Sequence, residues 1–306
     1  MSGYKLIVPG SVGIAPLDAL LERARQTAER SISVRTMDAY ADSWAVFARW
    51  CAARSLCTLP ASPETVAAFL QDEADRGRKY ATLQARVAAI TYFHAAKDRG
   101  AEPPTKAWAI RKLLAGLRRT IGTAQNKKAA RRVEHLRAMA PALHVRDRAI
   151  MLFGFASGLR RSNLSKLLVS DLAFEARGVL VHVRFSKTDQ ERRGRYIAVH
   201  RGVGATCPVG AVGAWCDQRP EVETLFGLSA KGIADVVKRS VAAIGLDPAL
   251  YAGHSLRAGL VTESRALGAS NAAIMRQTGH KKEENLIGYD RPEDAFENNV
   301  TKNLGL

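Results

Sequence analysis

Three features of the sequence predict a mainly α protein of two helical domains, the second carrying a small antiparallel β-sheet. Apolar residues recur at three-and-four spacing from about Leu17 to Arg119 with no convincing alternating stretch. Two short alternating segments, GVLVHVRF and GRYIAVH, interrupt the second half, and helical spacing resumes from Leu228 onward. At 306 residues and 47% hydrophobic content, the chain can bury a core in each domain without disulfide staples. No internal repeat or low-complexity tract is visible.

In SVRTMDAYADSWAVFARWCAARS, residues Tyr40, Trp44, Phe47 and Cys51 fall on one helical stripe, which reads as core rather than as a surface for stacking bases. The next helix opens at SPET. There Ser62 can cap, Pro63 suits the first helical position, and Glu64 meets the positive end of the helix dipole. TKAWAIRKLLAGLRRTIG then places Arg111, Lys112, Arg118 and Arg119 on or near one exposed side. The apolar rhythm breaks in IGTAQNKKAARRVEH, which concentrates Lys127, Lys128, Arg131 and Arg132. This segment is expected to link two domains and to run along a phosphate backbone, although a merely soluble linker explains the same residues. The expected organisation is a helical domain over 1–122, a basic linker over 123–133, and a second domain over 134–306 that ends in a tail helix. In the two alternating segments Val181 and Val183 point one way and His182 the other, while Ile197 and Val199 oppose Tyr196. This is the period-two pattern of a half-buried hairpin.

Charge narrows the function. The net charge is +17, carried as +7 by the first 122 residues and +10 by the remainder, so both domains are basic rather than one tail. A polyanionic partner accounts for this, with an arginine-rich solvated surface as the plain alternative. Cys51, Cys57, Cys207 and Cys216 form no C-x-x-C pair, and MSGYKLIVPG lacks a basic-then-apolar leader, so a reduced, cytoplasmic setting is expected. No apolar run approaches the ~18 residues needed to span a bilayer. Nor is there zinc-ligand spacing among the histidines and cysteines, or a G-x-x-x-x-G-K-[ST] loop, so neither a metal nor a nucleotide cofactor is expected.

Four polar clusters would be odd as pure scaffold. In FGFASGLRRSNLSKLLVSDL, an arginine, Arg160, stands where a glycine interrupts an apolar helix. Lys187 lies at the mouth of the hairpin in FSKTD. His254 and Arg257 sit three apart in GHSLRAG, on one helix face. In GHKKEENLIGY, His280 precedes Tyr289 by nine residues, with the candidate DNA-contacting cations Lys281 and Lys282 between them. Each taken alone has an ordinary structural explanation: a cap, a solvated lysine, a core histidine. The ordered series does not.

The series Arg160, Lys187, His254, Arg257, His280 and Tyr289 resembles the tyrosine recombinase (phage integrase) family. FSKTD, GHSLRAG, IMRQTGH and the short tail look most like its simple Cre-type and Xer-type members. The likeness runs from roughly Asp147 to Tyr289, and the first domain matches the family's core-binding (SAM-like) domain only in general character. The resemblance implies a site-specific recombinase that acts on double-stranded DNA at a short inverted-repeat site. It would cut through a 3′-phosphotyrosine on Tyr289, without metal or cofactor, in a tetramer on two sites. One position departs from the family pattern: where an acidic residue commonly supports the first arginine, this chain has Asn163, which can accept a hydrogen bond but brings no negative charge.

The chemistry explains the residue types. Phenolate attack on a phosphodiester loads charge onto two non-bridging oxygens, which the planar, permanently charged forks of Arg160 and Arg257 can hold. A phenol with a pKa of about 10 carries a handicap of roughly 4 kcal/mol at neutral pH. His254 is the candidate proton acceptor and Lys187 the candidate proton donor to the departing 5′ oxygen, while for His280 the resemblance implies a ring N–H donor to the phosphate. Glu283 to Gly288 should form the turn that returns the phenol to the phosphate. Ala295, Phe296, Val300 and Leu304 can form an apolar stripe in the tail, which the resemblance implies docks on a neighbouring protomer, with packing on its own domain as the alternative. Two rival readings stand beside it: type IB topoisomerase-like relaxation, which uses the same active-site logic, and a DNA-binding regulator on a recombinase scaffold, which requires a degenerate site and is opposed by the full set of six.

Overall fold

The computed structural model describes residues 16–29, 31–98, 100–122, 133–184, 194–251, 253–287 and 289. The linker cations Lys127, Lys128, Arg131 and Arg132, the hairpin Lys187, and the tail residues Ala295, Phe296, Val300 and Leu304 lie outside them. Two compact units divide the chain, Met1–Gln125 and Asn126–Leu306.

The first unit contains α1 (Leu17–Glu29), α2 (Val34–Ala52), α3 (Pro63–Asp75), α4 (Tyr80–Lys97) and α5 (Trp108–Ile121). Serines start two of these helices: Ser33 Oγ accepts from Thr36 N, and Ser62 Oγ accepts from Thr65 N with Pro63 in the first turn. The aromatic stripe of α2 does form core. Phe47 and Cys51 are fully buried among Val66, Phe69, Leu70, Leu83 and Ile90, and Trp44 packs against that cluster. Phe47 and Phe69 meet at 5.0 Å between ring centres, and Trp50 and Phe69 at 5.5 Å in an edge contact. Trp50 satisfies its indole N–H on Asp72. On α5, Ile110 and Leu117 face inward while Arg111, Lys112, Arg118 and Arg119 stay exposed, and Lys112 lies over the Trp108 ring.

The second unit contains α6 (Val133–Met139), α7 (Val145–Ser157), α8 (Arg161–Leu164), β1 (Leu172–Glu175), β2 (Gly178–Val183), β3 (Arg195–His200), α9 (Pro208–Gln218), α10 (Ala230–Ala242), α11 (Ser255–Ala266), α12 (Asn271–Thr278) and α13 (Glu284–Ile287). Every residue of α7 from Ala149 to Phe155 is buried, so this helix is the central post, in contact with α9, α10 and α11. The antiparallel sheet runs in the order β1-β2-β3, with Val181 opposite Ile197 and Val179 opposite Val199. These four side chains and Val183 enter the core, while His182 and Tyr196 stack on the other face at 4.7 Å.

Strand β1 is missing from the hairpin predicted by the sequence. It is an edge strand of four residues, none of them fully buried, so it carries no apolar alternation and is defined by its pairing with β2 alone. Helix α6 begins at Val133, the last residue of the span read as linker. No helix among the described residues is long and apolar enough to cross a membrane.

Candidate active site

Local sequence rules bring the first arginine into place. Helix α7 ends at Gly158, whose left-handed backbone (φ 60°) turns the chain sharply. A β-carbon here would lie 2.6 Å from Leu260 Cδ2, so that leucine would have to shift, and the positive φ favours glycine in any case. Two residues later, Arg160 occupies the N-terminal boundary of α8, half-buried, and its charge bears on Arg195, His254, Arg257 and His280.

Arg257 is the hub. It is 1% exposed and the largest of the fully buried side chains. From α11 its Nη1 donates to Gly158 O at 2.8 Å and to Thr278 O, so one guanidinium joins the C-terminal ends of α7 and α12. Its Nη2 lies 2.8 Å from His280 Nε2. Burial pulls its pKa down to about 10, Arg160 adds to this, and Tyr289 opposes it. Its Nε is buried with no hydrogen-bond partner among the described residues. Helix ends normally leave unsatisfied carbonyls, and here a cation takes them up.

The contacts of His280 fix its tautomer. Arginine can only donate, so Nε2 is the acceptor from Arg257, and Nδ1 carries the proton towards Thr278 Oγ1 at 2.9 Å. Thr278 in turn donates to Ile274 O. Burial, then the charges of Arg257, Arg160, His254 and Arg195, lower the His280 pKa to about 4, so the ring is neutral at physiological pH. In this state the ring N–H points to Thr278 and the other nitrogen to Arg257.

His254 and Tyr289 meet across 35 residues of chain. His254 directly precedes α11, three residues before Arg257; it remains accessible while Arg257 is buried, so the shared spacing did not bring equal burial. Its Nε2 lies 2.9 Å from the Tyr289 hydroxyl, with the rings offset at 6.1 Å. Partial desolvation, then Arg257, Arg160 and Arg161, lower the His254 pKa. Tyr289 sits just beyond α13, where Leu286 is fully buried against Val261 and Ile274, and the phenol ring packs on the same small cluster. Within the returning turn expected over 283–288, Glu284–Ile287 form a helical turn anchored by Leu286, and Gly288 lies outside the described residues. Lys281 and Lys282 are exposed. Asn163 lines a small recess with Leu159, Asp171, His182 and Arg184.

The site thus gathers Arg160, His254, Arg257, His280 and Tyr289 within one unit. It also includes a cation overlooked in the sequence. Arg195, the first residue of β3, donates from Nη1 to Arg276 O and Gln277 O, at 2.8 and 3.2 Å. A charged residue opening a strand is commonplace, so the sequence holds no signal that singles it out.

Residues 129–295 match the Phage integrase family. The chain belongs to that family. It is a tyrosine-type recombinase, an enzyme that breaks and rejoins DNA strands. It is 35% identical over 303 residues to an integrase/recombinase xerD homolog of Selenomonas ruminantium, covering 92% of this chain and 89% of that one. Among solved structures, a lambda integrase dimer bound to a COC′ core site is similar over 90% of this recombinase and 77% of that chain. The TM-score is 0.61 at 17% identity. A lambda integrase tetramer bound to a Holliday junction is similar over 90% and 77%, with TM-score 0.58 and 18% identity.

Proposed function

We propose that this recombinase cuts one DNA strand by in-line attack of the Tyr289 phenolic oxygen on a backbone phosphorus. The O–P bond to tyrosine forms as the bond from phosphorus to the 5′ oxygen breaks, leaving a 3′-phosphotyrosine and a free 5′ hydroxyl. The observation that carries this reading is the 2.9 Å contact between the Tyr289 hydroxyl and His254 Nε2, made beside Arg257 and within the field of Arg160.

His254 accepts the phenolic proton. Its lowered pKa keeps the ring neutral at physiological pH, as an acceptor must be, and a positioned base of this kind is worth roughly 10²–10⁴ in rate. Arg160 and Arg257 hold the non-bridging oxygens, and the unpartnered, buried Nε of Arg257 is a donor suited to an anionic oxygen. Lys187 protonates the departing 5′ oxygen. The reverse attack by a 5′ hydroxyl from a partner strand rejoins DNA without an external energy source.

The exposed cations of α5 (Arg111, Lys112, Arg118 and Arg119), the linker set Lys127, Lys128, Arg131 and Arg132, and Lys281 and Lys282 contact phosphates of a short inverted-repeat duplex. Four protomers assemble on two such sites, a reading supported by the tetrameric state of the related lambda integrase. The domain plan is a core-binding domain over 1–122, a linker over 123–133 and a catalytic domain over 134–306.

The test is incubation of the full chain with nicked suicide duplexes built from the ends of the element that carries it. A denaturation-resistant protein–DNA adduct should form and should be lost in Tyr289→Phe, which retains binding. An adduct that persists in Tyr289→Phe would overturn the assignment.

A further inference from the structure

Arg195 opens β3, far in sequence from α12, yet its Nη1 takes up two of the last carbonyls of α12, those of Arg276 and Gln277. Beside it Gln277 Nε2 donates to Ala198 O of β3 and Ala156 O of α7, each at 3.1 Å. Strand and helix end are therefore stapled twice. The staple bears directly on the turn that follows. Gly279 is left-handed (φ 72°), its N–H closes α12 on Met275 O at 2.7 Å, and a β-carbon there would lie 2.9–3.0 Å from Nε, Cζ and Nη2 of Arg195. The guanidinium thus lies against the Gly279 backbone, and a methyl group there would have to displace it. The next residue is His280.

We propose that Arg195 is a positioning residue for strand cleavage: by holding the end of α12 and the Gly279 turn, it sets His280 at hydrogen-bond distance from Arg257. The inference rests on the assignment of Tyr289 as nucleophile and adds a residue outside the recombinase motif. A cap of ordinary structural kind would lie anywhere along a helix end. Arg195 instead stands where its charge reaches the site: it helps lower the pKa values of Arg257 and His280, and its own is lowered by burial and by Arg160. Packing a further guanidinium beside Arg160 and Arg257 opposes folding, and the negative end of the α12 dipole compensates for part of that cost. The arrangement keeps His280 neutral and aimed, so that the phosphate meets a preset Arg257.

The experiment uses the full chain and two readouts. Ring-resolved NMR follows the His280 titration without DNA, and adduct formation at saturating nicked suicide duplex follows cleavage. In Arg195→Ala, His280 should titrate above its wild-type value of about 4. The single-turnover rate should drop about 10²-fold while duplex affinity stays within about threefold, because misplacement of a supporting group acts on the chemical step. Arg195→Lys, which keeps the charge but not the fork, should recover about a tenfold share of the rate, and it carries the comparison alone if Arg195→Ala does not fold. Gly279→Ala should cost more rate in the wild-type background than in Arg195→Ala, where the obstructing guanidinium is gone. An unmoved His280 titration, or a rate loss explained entirely by weaker duplex binding, would overturn the proposal. An adduct missing from the wild type would instead count against the Tyr289 assignment, and the His280 titration would still report on Arg195.

Discussion

The Tyr289 hydroxyl lies 2.9 Å from His254 Nε2 in the same chain, with the phenol ring packed on Val261, Ile274 and Leu286 and its hydroxyl within reach of the Arg257 charge. The phenol is thus placed by an apolar cluster next to a histidine with a lowered pKa, and the two controls can be separated experimentally.

His254→Gln retains a polar side chain but cannot take up a proton. Single-turnover cleavage should fall about 10²–10⁴-fold with DNA affinity preserved. In the wild type, the lowered His254 pKa means that the acceptor stays unprotonated to below the ordinary histidine range. The rate should therefore hold as pH drops through 6.5 and decline only at lower pH, as a pH–rate profile of adduct formation would reveal. A midpoint at or above the ordinary value would contradict the electrostatics of the site.

Arg160 and Arg257 should part company in stability. Replacing the buried Arg257 by alanine strands the Gly158 and Thr278 carbonyls and removes the link between α7 and α12, for an expected loss of about 3–5 kcal/mol by analogy with broken buried ion pairs. Half-buried Arg160→Ala should lower cleavage ~10²–10³-fold with little change in thermal midpoint. Calorimetry of both variants decides this.

Acid should weaken the catalytic unit through His280. Its folded pKa of about 4 lies below the unfolded value near 6.5, so between these values the unfolded chain binds more protons. Stability is complete above about pH 6.5 and is lost as pH falls towards 4, by up to about 3 kcal/mol before solvent screening reduces it. His254 acts with the same sign. His280→Gln, which can still accept from Arg257 but does not titrate, should flatten this slope in urea titrations at pH 7, 5.5 and 4.5.

The basic face of α5 should reveal itself in salt dependence. Removing Arg111 and Arg118 together should reduce the slope of log binding constant against log salt by about 1.8 if both neutralise phosphates of duplex DNA, equally for any sequence. An unchanged slope in fluorescence anisotropy would remove this helix from the DNA-binding surface.

Much of the scaffold was legible because it depends on neighbours in sequence. The Ser62-Pro63 helix start, the buried stripe of Phe47 and Cys51, and the alternation of Val181 and Val183 against His182 follow from spacing and caps. Strand β1 was not legible, since a short edge strand exists through its partner and carries no alternation of its own. Among the site residues, Gly158 announced a helix break, and the resemblance in motif order named the arginines, histidines and tyrosine. Arg195 gave no sign.

By itself the sequence determined which groups are available: two mainly helical domains, a surplus of positive charge in both, and an ordered set of arginines, histidines and one tyrosine in a recombinase pattern. The tertiary structure alone decided what each group does. It buried Arg257 completely while leaving His254 accessible three residues away, turned the His280 proton to Thr278, and brought Arg195 from a strand to the end of α12. The physical reason is that hydrogen-bond direction, desolvation and the field of neighbouring charges depend on contacts between distant segments, whereas periodicity and capping depend on residues a few positions apart.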